Sequence, residues 1–358
     1  MGVRVPPSAS PSSPRTRGFR VFLFPASPLA YRVICTMKIK PTLGGGKSGD
    51  PSLYIDIIDR KRVILFDCGL NNFRHANLRK VSDLFISHTH IDHFIGFDTL
   101  LRLNLAETKT LHIYGPPGIH TNVAGKLQGY TWNICQNLRL TIVVHEIFRE
   151  KMLLTQMESS SGFSITQVVE SHRLDPLLDT GEFSVRHLWL DHKTPSLGYC
   201  FREADTFNVH KETMYSLGLT PGPWVARLKA QAFHPEADHI LLDVGDTQRY
   251  PLNDLARQLL IRKKGVKITY LTDFIFDAAS LDDITQFAWE SDLLFCEAAF
   301  LEKDRQKAKR AYHLTAKEAG ILARTAHVKH LVLFHFSKRY QDYAPLLEEA
   351  RQEFSSVE

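Results

Sequence analysis

The stretch SHTHIDHFIGFD, residues 87–98, places His88, His90, Asp92 and His93 within six positions. The apolar residues just before it read as a strand. His88 and His90, two apart at its end, therefore point to the same side of the chain. Asp92 and His93 follow where the backbone must turn, with Gly96 close behind. Two imidazoles can hold one metal ion while the adjacent Asp–His pair reaches a second, and zinc accepts both donor types. The crowding points to a dinuclear metal centre at a strand end.

The rest of the chain supplies the setting. Its 358 residues are 44% hydrophobic and 23% charged, ordinary values for a globular protein with ample material for a core. No apolar run approaches the ~20 residues that span a bilayer, so no membrane partner is expected. Five cysteines (Cys35, Cys68, Cys135, Cys200, Cys296) are widely spaced and never form a CxxC pair. They read as small buried hydrophobes in a reducing compartment.

The net charge of +5 belongs to the N-terminus. Residues 1–36 hold Arg4, Arg15, Arg17, Arg20 and Arg32 and no lysine or acid, so residues 37–358 carry equal numbers of bases and acids. Overall charge thus gives no argument for nucleic acid; only local patches can. The Ser-, Pro- and Arg-rich start reads as a disordered or targeting extension, or as sequence upstream of a true start at Met37. The expected location is the cytoplasm, with organellar import if residues 1–36 form a transit peptide. Residues 37–358 are expected to form one domain.

From Met37 onward short β-rich runs alternate with helical patterns. LYIDI and RVILFDCG (Arg62–Gly69) read as a hairpin, followed by LFISHTH, LHIYGPP, VRHLWLDH, KITYLTD, LLFCEA and HLVLFHF. Several of these runs end in a metal-competent residue, where loops converge on one site. Residues 314–327 carry a helical apolar face of Leu314, Ala319, Leu322 and Ala326, and NDLARQLLIRKKG reads as a long helical stretch.

SHTHIDHFIG resembles the signature of the metallo-β-lactamase fold, and the chain from about residue 50 to 345 resembles its ribonuclease Z branch, the endonucleases that trim tRNA 3′ ends. ILFDCG resembles the strand before the metal loop, with Asp67 as the structural aspartate. LDHKTPSLGY, KITYLTD and the block HLTAKEAGILARTAHVKHLVLFHFSKRY resemble the segments that complete the family's site. The resemblance implies an α/β (α+β) fold, a four-layer αββα metallo-β-lactamase sandwich. It implies two metals: His88, His90 and His192 on one, Asp92, His93 and His335 on the other, and Asp273 bridging. Zn2+ is expected, two per subunit, with Mn2+ or Fe possible from the same donors. Asp273 is preferred over Asp246 of the Gly-Asp-Thr tripeptide as the bridge because it ends an apolar strand.

The expected reaction is phosphodiester hydrolysis by metal-activated hydroxide, leaving a 3′-hydroxyl. The resemblance makes His313 the proton donor to the leaving oxygen and Glu297 its orienting group, and Asp92 can double as general base. Residues 203–230 resemble the arm with which the family grips tRNA, including Gly222-Pro223. Lys309 and Arg310, in a basic run reaching His313, are candidate phosphate contacts. The expected substrate is pre-tRNA and the expected assembly a homodimer, both by resemblance. The chain departs from the family in its opening loop, TLGGGKSGDPSL in place of a Pro-x-Lys-x-Arg-Asn pattern, and in Cys296-Glu297-Ala298-Ala299. A hydrolase of a small-molecule ester, thioester, lactone or phosphodiester is the alternative. A non-catalytic RNA-binding relative fits less well, because every expected ligand is present.

Overall fold

Strands buried on both faces need apolar residues at odd and even positions alike. Arg62–Phe66 meets this requirement: Val63 and Leu65 join one apolar cluster, Ile64 and Phe66 another. In the computed structural model, residues 39–358 are described apart from Lys61, Arg173, 234–236, Asp238 and 246–247. The extension 1–36, Met37 and Asp246 lie outside the described residues.

Two sheets carry the fold. The first holds eight strands in sequence order: β1 (Ile39–Leu43), β2 (Leu53–Ile57), β3 (Arg62–Phe66), β4 (Val81–Phe85), β5 (Lys109–Gly115), β6 (Leu140–Ile147), β7 (Met152–Glu158) and β8 (Ser164–Ser171). The expected hairpin is present, β2 pairing antiparallel with β3, and β3 to β6 run parallel. The chain continues through β9 (Leu178–Asp179), β10 (Phe183–Asp191), β11 (Pro195–Glu203), β12 (Thr206–Val209), β13 (Leu241–Val244), β14 (Gln248–Pro251), β15 (Leu260–Lys263), β16 (Lys267–Leu271), β17 (Leu293–Glu297) and β18 (His330–Phe334). The second sheet has the order β18-β17-β16-β11-β10-β9.

Four layers follow from three apolar clusters. Ile64, Phe66, Phe85 and Tyr114 of the first sheet meet Tyr199, Phe201, Tyr270 and Phe334 of the second in one cluster between the sheets. The outer face of the first sheet buries Phe94, Phe97, Leu100, Val123 and Leu127 from helical segments; the second buries Ala319, Leu322, Ala323 and Leu346 from its own helices. The architecture is the expected αββα sandwich. The four described cysteines, Cys68, Cys135, Cys200 and Cys296, are buried and free. Among the described residues no helix is long and apolar enough to cross a membrane.

Residues Val209–Leu260 form a separate compact unit with its own apolar cluster around Met214, Trp224, Leu228, Leu255 and Leu259. The segment 203–230 covers only the first part of it, since Glu203 closes β11. Gly222 caps the helix Pro223–Gln231, whose first residue is proline, preset for that position. The stretch read as one long helix divides: Leu252–Leu259 is helical, and Leu260 turns to extended backbone to open β15, which pairs with β12. Periodicity alone does not register that switch, because Leu259, Leu260 and Ile261 suit either state.

Candidate metal centre and active site

Three strands end the same way. Asp67 follows β3, Asp273 lies just beyond β16 and His335 follows β18, and all three have left-handed backbone (φ 55°, 49° and 61°). A non-glycine residue there costs of order 1–3 kcal/mol and persists where surrounding contacts over-determine it. Those contacts are visible around Asp67, which is wholly buried. Its carboxylate accepts hydrogen bonds from the Ser87 N–H (2.7 Å), the Ser87 hydroxyl (2.8 Å), the Tyr270 hydroxyl (2.8 Å) and His93 Nδ1 (2.8 Å).

That last bond fixes a tautomer. With Nδ1–H donated to Asp67, His93 turns Nε2 toward the Asp273 carboxylate, 3.2 Å away. His192 is arranged in the same way. Its Nδ1 donates to the Tyr312 carbonyl (2.8 Å), leaving Nε2 3.5 Å from Asp273 Oδ2. His88 Nε2 lies 3.7 Å from the same oxygen and 2.9 Å from His90 Nδ1. On the other side of Asp273, His335 Nδ1 approaches Oδ1 to 2.9 Å, while its Nε2 lies 3.3 Å from Asp92 Oδ2. Donor atoms of His88, His90, His192 and Asp273 fall within 4.8 Å of one another, and so do those of Asp92, His93 and His335. All seven residues expected to bind metal are thus brought together.

Imidazole lone pairs facing a carboxylate repel it unless a cation or a proton lies between them. His93 Nε2 and His335 Nδ1 are buried near Asp273 and make no hydrogen bond of good geometry. The electrostatics show the protonic solution. Burial opposes charge on His93, yet Asp273 and Asp67 push it up to about 10. Burial likewise opposes charge on His335, and Asp273 raises it well above the ordinary range. Burial would raise Asp273, but His335 and His93 hold it well below a normal carboxylate. His88 goes the other way, to about 2, through burial and then the neighbouring His93 charge. A cluster of five imidazoles and two carboxylates, without thiolate, fits a divalent first-row ion that would replace those protons.

Beside the donors sits a second pair. Glu297, wholly buried at the end of β17, accepts from His313 Nδ1 at 2.7 Å and from the Phe274 N–H at 3.0 Å. It therefore fixes both His313 and the segment that carries Asp273. Burial works against charge on His313, and the Glu297 carboxylate reverses it, raising the imidazole. His313, Asp92 and His335 line a cavity of about 370 Å3 together with Ser48, Asp50 and Lys338. The glycine-containing loop before β2 forms one wall, tied down by the Phe336 N–H donating to the Lys47 carbonyl.

The basic run near His313 divides by pairing. Arg305 and Lys307 are held by Glu318 and Asp304, whereas Lys309 and Arg310 are exposed with no carboxylate partner among the described residues. Gly222 and Pro223 belong to the separate unit. Sequence reading missed Ser87, Tyr270 and the Tyr312 carbonyl as groups that orient the ligands. The only local signals were the position of Ser87 directly before His88 and of Tyr270 three residues before Asp273.

The fold resembles that of the metallo-β-lactamase-fold protein YhfI from Bacillus subtilis, with a TM-score of 0.51 at 17% identity over 88% of this chain and 93% of that one. Fold and donor cluster together define a metal-dependent hydrolase of the metallo-β-lactamase fold. No protein-family model matches the chain. It is 34% identical over 301 residues to Ribonuclease Z of Deinococcus radiodurans, spanning 82% of this chain and 88% of the relative. Against Ribonuclease Z of Pyrococcus furiosus the identity is 29%, over 87% of this chain and 88% of the relative. The chain belongs to the ribonuclease Z family.

Proposed function

We propose that this chain is a dinuclear zinc endonuclease that removes 3′ trailers from pre-tRNA. The observation that carries the reading is the His313–Glu297 pair, held at 2.7 Å beside the imidazole donors that converge on Asp273. His88, His90 and His192 would hold one ion, Asp92, His93 and His335 the other, with Asp273 shared. When bound, the ions supply Lewis acidity, lowering the pKa of water and neutralising charge on the phosphodiester.

The chain's own groups do the rest. His313 donates its Nδ1–H to Glu297, whose carboxylate raises the imidazole against the effect of burial, and Nε2 would face the substrate to give a proton to the departing oxygen. Asp92, half-exposed in the cavity wall, would accept a proton from attacking water. Lys309 and Arg310 would meet backbone phosphates, and the Val209–Leu260 unit with Gly222-Pro223 would serve as the arm that grips tRNA. A homodimer would present that arm to a partner's site.

Incubating the zinc-loaded protein with a 3′-extended pre-tRNA and mapping the cut tests this. Cleavage at the discriminator base, lost in His313→Ala with metal retained, is the expected result. Intact RNA alongside hydrolysis of bis-p-nitrophenyl phosphate would overturn it in favour of a small-molecule substrate.

A further inference from the structure

A second cavity, about 500 Å3, is bordered by the residues on either side of His192. It is lined by Pro117, Phe148, Arg149, Trp189, Lys193 and Thr194. Asp191 and Lys193 flank His192 in sequence, so the loop that presents a metal-facing imidazole also forms this cavity's wall. Its volume lies within the usual range for small-ligand sites.

The lining is specialised. The half-buried Trp189 indole packs against the core between the sheets, and the Arg149 guanidinium lies over its ring, 5.1 Å from the centroid. Arg149 is exposed and has no carboxylate partner among the described residues. Lys193 donates to the Arg310 carbonyl at 2.7 Å and lies over the Tyr312 ring, again with no carboxylate partner. The cavity's one carboxylate, Asp191, accepts from the Lys193 N–H. A rigid aromatic plane capped by a guanidinium, with a second cation beside it that has no carboxylate partner among the described residues, has the makings of a seat for a flat base between two phosphates. Lys193 ties that seat to the basic segment ending at His313.

We propose that this cavity is a subsite for one unpaired nucleotide of an RNA strand passing through the metal centre. The base stacks on the Trp189–Arg149 pair, and the adjoining phosphates meet Arg149 and Lys193. This rests on the ribonuclease reading above and adds to it a recognition element for single-stranded RNA next to the cut.

The test uses the metal-loaded full chain and a short fluorescein-labelled single-stranded oligoribonucleotide with phosphorothioate linkages. Trp189→Ala and Arg149→Ala should each weaken binding about tenfold, and Arg149→Ala should lower the salt dependence by about one phosphate contact. Metal content and melting temperature check that each variant folds; Arg149 is exposed, so its variant serves if Trp189→Ala does not. Variants that bind as tightly as wild type would overturn the subsite while leaving the ribonuclease reading intact. A wild-type protein that binds no oligonucleotide would overturn the subsite; cleavage of pre-tRNA by the same sample would leave the ribonuclease reading intact, and no cleavage would overturn both.

Discussion

Asp67 touches no substrate in this scheme, yet its replacement should be among the most damaging in the chain. Asp67→Asn keeps the size and also the left-handed backbone, which asparagine adopts readily. The Asn carbonyl oxygen can still accept from the Ser87 N–H. The amide nitrogen, however, replaces an acceptor shared by the Tyr270 hydroxyl and His93 Nδ1, each at 2.8 Å. At least one of these two buried donors is left without an acceptor, at ~1–3 kcal/mol each, so a loss of ~1–6 kcal/mol follows. His93 also loses the bond that turns Nε2 inward, and loss of such an orienting partner typically costs 10–100-fold in metal affinity. Denaturant unfolding and a competitive zinc titration measure the two effects. Tyr270→Phe is the control: it removes one donor and leaves the His93 bond, so affinity should hold while stability falls by ~1 kcal/mol. An Asp67→Asn protein with wild-type zinc affinity would refute the orienting role.

Further expectations follow from the site's charges and loops. In the metal-free protein His93 is raised from 6.5 to about 10. The stability it confers is therefore full below 6.5 and lost as pH rises through 10, so the apo melting temperature should fall over that interval. Zinc must displace that proton, so apparent affinity should rise with pH up to about 10, tenfold per unit for each proton released; a pH series of zinc titrations reads it. Replacing Lys309 or Arg310 with alanine should weaken pre-tRNA binding and lower the salt slope by about one each, measured by binding across a salt series. Gly49→Ala would drive a Cβ into the Gly45 carbonyl oxygen and displace the loop lining the cavity. It should lower kcat/KM on pre-tRNA while the melting temperature falls by no more than ~1–3 kcal/mol of overpacking implies.

The metal loop was legible because its donors are adjacent: His88, His90, Asp92 and His93 declare themselves without knowledge of the fold. His192, Asp273 and His335 were legible only as strand-end residues in family order. Alone, each is an ordinary polar residue, and what unites them is a sheet whose pairings cross long stretches of chain. β11 escaped notice although it pairs antiparallel with β10 and, on its other side, with β16, the strand at which the second sheet turns parallel. β8 escaped because it lies at a sheet edge, largely exposed, with no clean alternation. The Tyr270–Asp67 bond spans 203 residues and the His192–Tyr312 bond 120, and neither leaves a local trace. The Trp189 cavity is assembled from three separate segments of the chain, so no single motif could announce it.

The most direct measurement is the number of zinc ions retained per chain after loading and dialysis, in wild type and in Asp273→Ala. With Asp273 facing both donor groups, wild type should keep two ions and Asp273→Ala fewer than one, while remaining folded. Two ions retained by Asp273→Ala, or none by wild type, would contradict a centre built around that carboxylate.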